Sequence, residues 1–167
     1  TNRHRKTFRV LRERIFATSR ASFMSVGLVG FVLGNPGVAL AGNLPTGAEV
    51  VSGQVDLSLS SANALQVVQG TQSAIVNWES FDIGANSMVN VVQPYIDAAM
   101  LSRVVGPNPS EIHGSLNANG HLYLINPNGI LFGSDAQIDV NALIASTLDI
   151  ADSAFLSGNI SFNGDSD

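Results

Sequence analysis

The sequence contains no cysteine, and after Arg20 it contains only one arginine or lysine, Arg103. Seven of the eight basic residues lie in the first twenty positions, whereas only one of the thirteen acidic residues does. From residue 42 onward one arginine faces twelve acidic residues, a formal net charge of −11. Nucleic-acid binding needs clustered lysine and arginine. The shortage of cations therefore excludes nucleic acid as a partner of residues 42–167.

The lack of cysteine has two interpretations. One is a cytosolic protein that happens to have none. The other is a chain that crosses the oxidising periplasm unfolded, where a disulfide would close a loop and block export. The composition is compatible with both.

The sequence also lacks an apolar stretch long enough to span a membrane. The apolar run at residues 23–33 (FMSVGLVGFVL) falls well short of the ~20 residues that a spanning helix needs. A basic segment precedes it, and residues 34–37 (GNPG) break any helix after it. Ala39 and Ala41 then supply the small residues that a signal peptidase accepts. We predict an extended Sec signal peptide at residues 1–41, rather than a membrane anchor, and one domain at residues 42–167.

Apolar residues from position 49 onward recur with a period of two, which predicts β-strands. In residues 50–59 (VVSGQVDLSL), Val55, Leu57 and Leu59 alternate with polar residues. Turns rich in Asn, Gly and Pro separate these strands at close intervals. Residues 142–148 are the one stretch with a helical composition.

Short strands with close turns occur in β-sandwiches, β-barrels and β-solenoids. Asparagine is frequent at the turns and can form hydrogen bonds from one rung of a solenoid to the next. The abundant Gly, Ala and Ser residues suit tight corners. These features favour the solenoid, although no strict sequence period supports it.

Three segments in a fixed order carry a resemblance to a known family. They are residues 76–84 (VNWESFDIG), residues 101–116 (LSRVVGPNPSEIHGSL) and residues 118–133 (ANGHLYLINPNGILFG). In this order they resemble the N-terminal domain of filamentous haemagglutinin, also called the two-partner secretion domain. The resemblance covers residues 44–165. The residues that carry it are Asn77, Trp78, Phe81, Arg103, Asn108, Pro109, Ser110, Asn126, Pro127, Asn128, Gly129 and Ile130.

The resemblance implies an all-β fold, a right-handed parallel β-helix (solenoid) with short capping strands or hairpins. It implies recognition by the periplasmic domains of an outer-membrane barrel transporter of a Gram-negative bacterium. It also implies secretion to the cell surface or medium, where members act as adhesins, haemolysins or contact-dependent toxins on host or neighbouring cells. The founding haemagglutinin has an upstream Asn-Pro-Asn-Leu motif that residues 94–106 lack. The chain therefore resembles the high-molecular-weight adhesin branch.

Residues 126–130 (NPNGI) have two interpretations. The first is a structural corner, because proline presets φ, Asn128 and Gly129 tolerate positive φ, and Asn126 can bond its own backbone two residues on. Ile125, Ile130 and Phe132 would then return to the core. The second is a role in transporter recognition or in nucleating the β-helix outside the cell.

Most other candidate residues are expected to be structural. Arg103 is expected to be partly buried against carbonyl groups or against Asp97 or Glu111. Trp78 and Phe81 are expected to pack in the core.

The metal-binding residue types give no diagnostic pattern. His113 and His121 are isolated, so we expect no zinc site. Asp135 and Asp139 would face the same side of one strand, which allows a calcium site, but no diagnostic glycine–aspartate repeat accompanies them. We therefore expect no metal and no cofactor.

The predicted function is the export-directing and fold-nucleating module of a secreted adhesin-like protein, and not an enzyme. One rival is a polysaccharide-active β-helix enzyme, which would need bases or anion-binding groups that this sequence has in short supply. A second rival is a polysaccharide-binding β-helix domain without an export function. The order of the motifs argues against that second rival.

Overall fold

The computed structural model describes residues 43–163 of the chain. The predicted signal peptide, with its cleavage site at Ala39 and Ala41, lies outside this range and stays a prediction. The described residues form strands and one short helix. Their bounds are β1 Glu49–Ser52, β2 Val55–Ser61, β3 Ala64–Gln69, β4 Ser73–Trp78, β5 Met88–Val92, β6 Ala99–Val104, β7 Ser110–Ile112, β8 Ser115–Ile125, β9 Ile130–Phe132, β10 Gln137–Ser146, β11 Asp149–Ile150, α1 Asp152–Leu156 and β12 Phe162–Asn163.

Most of these strands wind into a right-handed parallel β-helix of about four rungs, as predicted. The first face contains β3, β5, the first half of β8 and the first half of β10, which pair in parallel in that order. The second face contains β4, β6 and the second halves of β8 and β10. The third and shortest face contains Ile83, β7 and β9.

The period-two pattern explains this architecture, because alternate side chains of a strand point to opposite sides of a sheet. In β5, Val89 and Val91 are buried, whereas Met88 and Val92 are exposed. The inward side chains of successive rungs stack into one apolar core that includes Trp78. Each rung therefore buries its apolar residues only when another rung lies against it.

Two antiparallel strands cap the first rung. On the first face β2 runs antiparallel to β3, and on the second face β1 runs antiparallel to β4. They cover strand edges that would otherwise present unpaired backbone groups to other chains. The predicted capping strands are thus confirmed.

The outer side of the second face carries a second apolar cluster. Ile75, Leu101 and Tyr123 lie in register on adjacent rungs and are at most 7% exposed. Residues 147–163, called the flap below, fold over them, and the Phe155 ring meets the Tyr123 ring edge-on with centroids 5.4 Å apart. Burial of apolar surface, worth roughly 25 cal/mol per Å², therefore holds the flap against the solenoid.

Amide groups fill the corner between the first and second faces. Gln69 and Gln93, on adjacent rungs, are both buried, and Gln93 Nε2 donates to Gln69 Oε1 at 3.1 Å. Gln93 Nε2 also donates to the Ala98 carbonyl at 2.9 Å. On the next rung this corner is occupied by Gly120, where a Cβ atom would lie 2.6 Å from Gln93 Oε1. Glycine at position 120 therefore leaves the space that the Gln93 amide fills.

Residues 142–146, whose composition suggested a helix, form the second half of β10. They pair in register with residues 121–125 of β8. Tertiary pairing therefore overrides the local helix propensity of alanine and leucine. Among residues 43–163, no helix has the length and apolar character needed to cross a bilayer.

Candidate functional site

Two of the predicted motifs meet at one corner of the solenoid, where the second face turns into the third. Residues 126–129 connect β8 to β9, and residues 106–109 make the equivalent connection one rung earlier, between β6 and β7. Together with Ser110 and Ile130, which pair where β7 and β9 begin, we call these turns the asparagine corner. The corner gathers the predicted site residues Asn108, Pro109, Ser110, Asn126, Pro127, Asn128, Gly129 and Ile130.

Asn126 lies at the centre of the asparagine corner, and it is fully buried. Its Nδ2 donates to the Asn108 carbonyl at 3.0 Å and to Ser110 Oγ at 2.9 Å. Its Oδ1 accepts a hydrogen bond from the Asn128 backbone N–H at 2.9 Å. One side chain therefore joins two rungs, and its removal would leave buried polar groups without partners.

The turn at residues 126–129 closes as its sequence predicts. The Gly129 backbone N–H donates to the Asn126 carbonyl at 3.0 Å. Gly129 has a φ of 115°, a conformation that strains residues with a Cβ atom. Of the two residues that tolerate a positive φ, only Gly129 adopts one.

Gly106 lies on the earlier rung of the corner, and its carbonyl accepts a hydrogen bond from Asn128 Nδ2 at 2.9 Å. A Cβ atom at position 106 would collide with the Glu79 backbone carbonyl. Gly106→Ala is therefore expected to lower the free energy of unfolding by about 2–4 kcal/mol in chemical denaturation. Gly70→Ala is the control, because its Cβ would meet only the Gln54 side chain, at 3.1 Å. Equal effects of the two substitutions would contradict the packing argument.

Arg103 forms a separate cluster of contacts beneath the flap, where its side chain is only 15% exposed. Its Nε lies 2.8 Å from Asp149 Oδ1, and one terminal nitrogen lies 2.8 Å from Asp152 Oδ1. The same terminal nitrogen donates to the Ile150 carbonyl at 2.6 Å. The predicted structural role of a partly buried arginine is confirmed.

Asp97 and Glu111 were predicted as acidic partners of Arg103, and this prediction is wrong. Arg103 lies in register with Asn77 on the outer side of the second face, and Asn77 Oδ1 accepts a hydrogen bond from it at 3.4 Å. Asp97 lies in the turn before β6 and Glu111 in β7, whereas the flap covers this side. Burial alone would lower the pKa of Arg103, but the two flap carboxylates raise that pKa above its ordinary value.

Trp78 and Phe81 lie inside the solenoid, away from the flap and its ion pairs. Both are almost completely buried, and their rings meet edge-on with centroids 5.4 Å apart. Aromatic pairs of this geometry add stability beyond the area that they bury. Their predicted role in core packing is confirmed.

The three apolar residues around the 126–129 turn do not all return to the core. Ile130 packs against the interior cluster as predicted. Ile125 is fully buried on the outer side of the second face instead, beneath the flap, and Phe132 is 38% exposed. Sequence alternation alone could not identify the outer cluster, because both sides of this face are apolar.

The acidic and histidine residues of the described range do not form a metal-binding cluster. Among residues 43–163, no group of three His, Cys, Asp or Glu side chains is arranged to hold a metal ion. Asp135 lies in the turn before β10 and Asp139 within β10. Their spacing therefore does not place them on one strand, which corrects the expectation from sequence.

The capped right-handed β-helix and its asparagine corner define a class, that of the parallel β-solenoids. Comparison with known families narrows this class. The family model described as the TPS secretion domain matches residues 41–166. The chain therefore belongs to the TPS secretion domain family, which is a family of secretion domains and not of enzymes.

Relatives and a solved structure agree with this assignment. The chain is 41% identical over 112 residues to a heme/hemopexin-binding protein of Haemophilus influenzae strain Rd, an alignment that covers 67% of the chain. A second heme/hemopexin-binding protein of Haemophilus influenzae is 39% identical over 108 residues and 65% of the chain. The chain spans 12% of the length of each relative. The crystal structure of the HMW1 secretion domain from Haemophilus influenzae matches 74% of this chain, with 34% identity and a TM-score of 0.68, over 33% of that structure.

Proposed function

We propose that residues 42–167 are the export-directing domain of a longer adhesin-like protein of a Gram-negative bacterium. A cognate outer-membrane barrel transporter recognises this domain through its periplasmic domains. The family match supports the proposal, because members direct export in a two-partner system. The observation that carries it is the asparagine corner, where residues of two family motifs bond to each other across adjacent rungs.

The proposed route begins at the inner membrane. Residues 1–41 direct the chain into the Sec machinery, and cleavage follows Ala41. The order of a basic segment, an apolar run and small residues supports this step. The exported protein then acts at the cell surface or in the medium, on host or neighbouring cells.

Within the proposal, the asparagine corner serves recognition first and folding later. Pro127 and Asn128 face the solvent, whereas Asn126 and Ser110 are fully buried. An unfolded chain would present all four side chains to the transporter. Folding would withdraw Asn126 and Ser110 into the hydrogen bonds that join the two rungs.

Directionality in this proposal comes from the chain itself, because the periplasm supplies no ATP. A rung that folds outside the cell buries apolar side chains at roughly 25 cal/mol per Å², so the chain cannot slide back. A net charge of −11 after residue 41 and the lack of disulfides slow premature collapse in the periplasm. The domain must therefore pass the transporter unfolded.

A cross-link that closes a loop before transport should stop export. Met88 and Ser115 are in-register neighbours on adjacent rungs of the first face, and neighbouring strands lie about 4.8 Å apart, within the range of a disulfide. Met88→Cys combined with Ser115→Cys is expected to reduce secretion at least tenfold under oxidising growth, as measured by immunoblot of the medium.

Reductant should restore secretion of this double variant, because it opens the loop without changing the sequence. Each single cysteine substitution should be secreted like the natural chain and serves as a control. If the disulfide is shown to form in the periplasm and secretion is nevertheless unchanged, unfolded transit is wrong.

A further inference from the structure

The outer side of the first face carries a row of polar side chains that neither the core nor the asparagine corner uses. Asn90, Asn117 and Asp139 lie in register on three adjacent rungs. Neighbouring positions in these strands, such as Leu116, point into the core instead. A groove of about 560 Å³ lies along this row. The groove is shallow and open to solvent rather than an enclosed cavity.

The next outward row, Val92, Asn119 and Asn141, forms the second wall of the groove. Two of these residues hold the loop between β5 and β6. Asn119 exchanges hydrogen bonds of 2.7 and 2.8 Å with the Gln93 backbone. Asn141 Nδ2 donates to the Ile96 carbonyl at 3.1 Å. These hydrogen bonds tie the loop that follows β5 to the next two strands of the first face, β8 and β10, beside the groove.

This loop presents an aromatic side chain to the solvent. Tyr95 is 60% exposed, and the neighbouring Ile96 is 69% exposed. Tyrosine offers a flat apolar ring and a hydroxyl group while losing little conformational entropy on binding. A sugar ring is complementary to such a side chain, since it has C–H groups on its face and hydroxyl groups around its edge.

The polar wall matches the edge of a sugar ring. Asn90 and Asn117 are partly exposed, and each amide offers one carbonyl acceptor and two N–H donors. Hydroxyl groups both donate and accept, so they can pair with amides and with the Asp139 carboxylate. Because the rungs repeat about every 4.8 Å, these groups recur along the groove as hydroxyl groups recur along an oligosaccharide.

The negative charge of the domain favours neutral glycans over acidic ones. Asp139 is the only charged residue that lines the groove. Arg103, the one arginine or lysine of residues 42–167, is bound beneath the flap. A sulfated or uronic-acid chain would therefore meet repulsion without a compensating cation. A neutral chain meets none.

We propose that this groove binds a neutral glycan chain, with the Tyr95 ring stacked on a sugar face. Asn90, Asn117 and Asp139 form hydrogen bonds with hydroxyl groups of the chain. This binding activity goes beyond the proposed export function and does not depend on it. It assigns the secretion domain a contact with surface polysaccharide once it has folded outside the cell.

The test titrates the secreted chain with cellohexaose, laminarihexaose and chitohexaose as neutral probes and with heparin as the polyanionic probe. The ring signals of the two tyrosines are followed by NMR. Tyr123 is 7% exposed beneath the flap and provides an internal control. We expect at least one neutral hexasaccharide to shift the Tyr95 signals below about 10 mM, with Tyr123 unchanged and heparin without effect.

Matched variants locate the site. Tyr95→Ala and the double variant Asn90→Ala with Asn117→Ala are each expected to weaken binding at least tenfold. Tyr95→Phe should retain binding, and so should Asn86→Ala, an exposed asparagine that does not line the groove. These side chains point outward, and circular dichroism will verify that each variant is folded.

Three results would overturn the proposal. The first is that none of the neutral hexasaccharides shifts the Tyr95 signals of the unsubstituted chain. The second is binding that survives both the tyrosine and the double asparagine substitution. The third is tighter binding of heparin than of every neutral probe. Secretion of the variants at the normal level would show that the result concerns the groove and not the export function.

Discussion

Alanine at both Asn126 and Gly129 is expected to remove most of the secreted product, while precursor accumulates and is degraded in the periplasm. Asn126→Ala leaves Ser110 and backbone groups of the corner unpaired, at about 1–3 kcal/mol for each buried group. Gly129→Ala forces a residue with a Cβ atom to a φ of 115°, at about 1–3 kcal/mol. The sum approaches the stability of a whole domain, about 5–15 kcal/mol. Immunoblots of medium and periplasm measure the outcome.

The controls for this experiment separate folding from recognition. His113→Ala and His121→Ala should export normally, because neither residue belongs to the asparagine corner. Gly106→Ala weakens the same corner without changing residues 126–130. If it lowers export as much as the double variant, folding alone explains the loss. Normal export of the double variant would leave the motif with a structural role only.

Substitution of Arg103 by glutamine is expected to open the flap while the solenoid stays folded. The guanidinium bonds to Asp149 and Asp152 are lost, and a hydrogen bond to a charged group contributes about 1.5–3 kcal/mol. Both carboxylates are nearly half exposed, at 49% and 44%, so solvent screening reduces the combined loss to about 2–3 kcal/mol. Amide exchange in residues 147–163 should therefore accelerate by about 30- to 150-fold.

Hydrogen exchange followed by mass spectrometry measures this opening peptide by peptide. Peptides from β3 to β6 should keep their exchange rates in the Arg103→Gln variant. Asp97→Asn is the control, because Asp97 is exposed and lies away from the flap contacts. High salt should accelerate flap exchange in the natural chain more than in the variant, since salt screens ion pairs. Unchanged flap exchange in the variant would show that apolar contacts alone hold the flap.

The features that the sequence predicted correctly depend on residues that are close together along the chain. The strand alternation in β5 and the turn at residues 126–129 follow from the residues themselves, because side-chain direction and turn dihedrals are local properties. The inward position of Trp78 also followed from its chemistry. The meeting of the two motifs at the asparagine corner is different. Motif order indicated a family, but only the rung register brings Asn126 against Asn108 and Ser110.

Features that depend on register were not predictable from one sequence. Arg103 bonds to Asp149 and Asp152 because the flap returns over the outer second face, and local patterns do not encode that return. Ile125 is buried on the outside for the same reason. Residues 142–146 form a strand because β8 offers them a partner. An unusual excess of apolar residues on both sides of β6 and β8 was the one available signal for the flap.

The paired glutamines at the corner between the first two faces favour one alignment of adjacent rungs. Gln93 Nε2 reaches Gln69 Oε1 on the preceding rung only when the two rungs lie at the observed offset, and the Gln93 side chain has room because position 120 is glycine. A rung displaced by one residue would lose this hydrogen bond and leave Gln69 Oε1 without its donor, at about 1–3 kcal/mol. If the domain folds rung by rung outside the cell, as proposed, this pair favours the correct alignment of the second rung on the first.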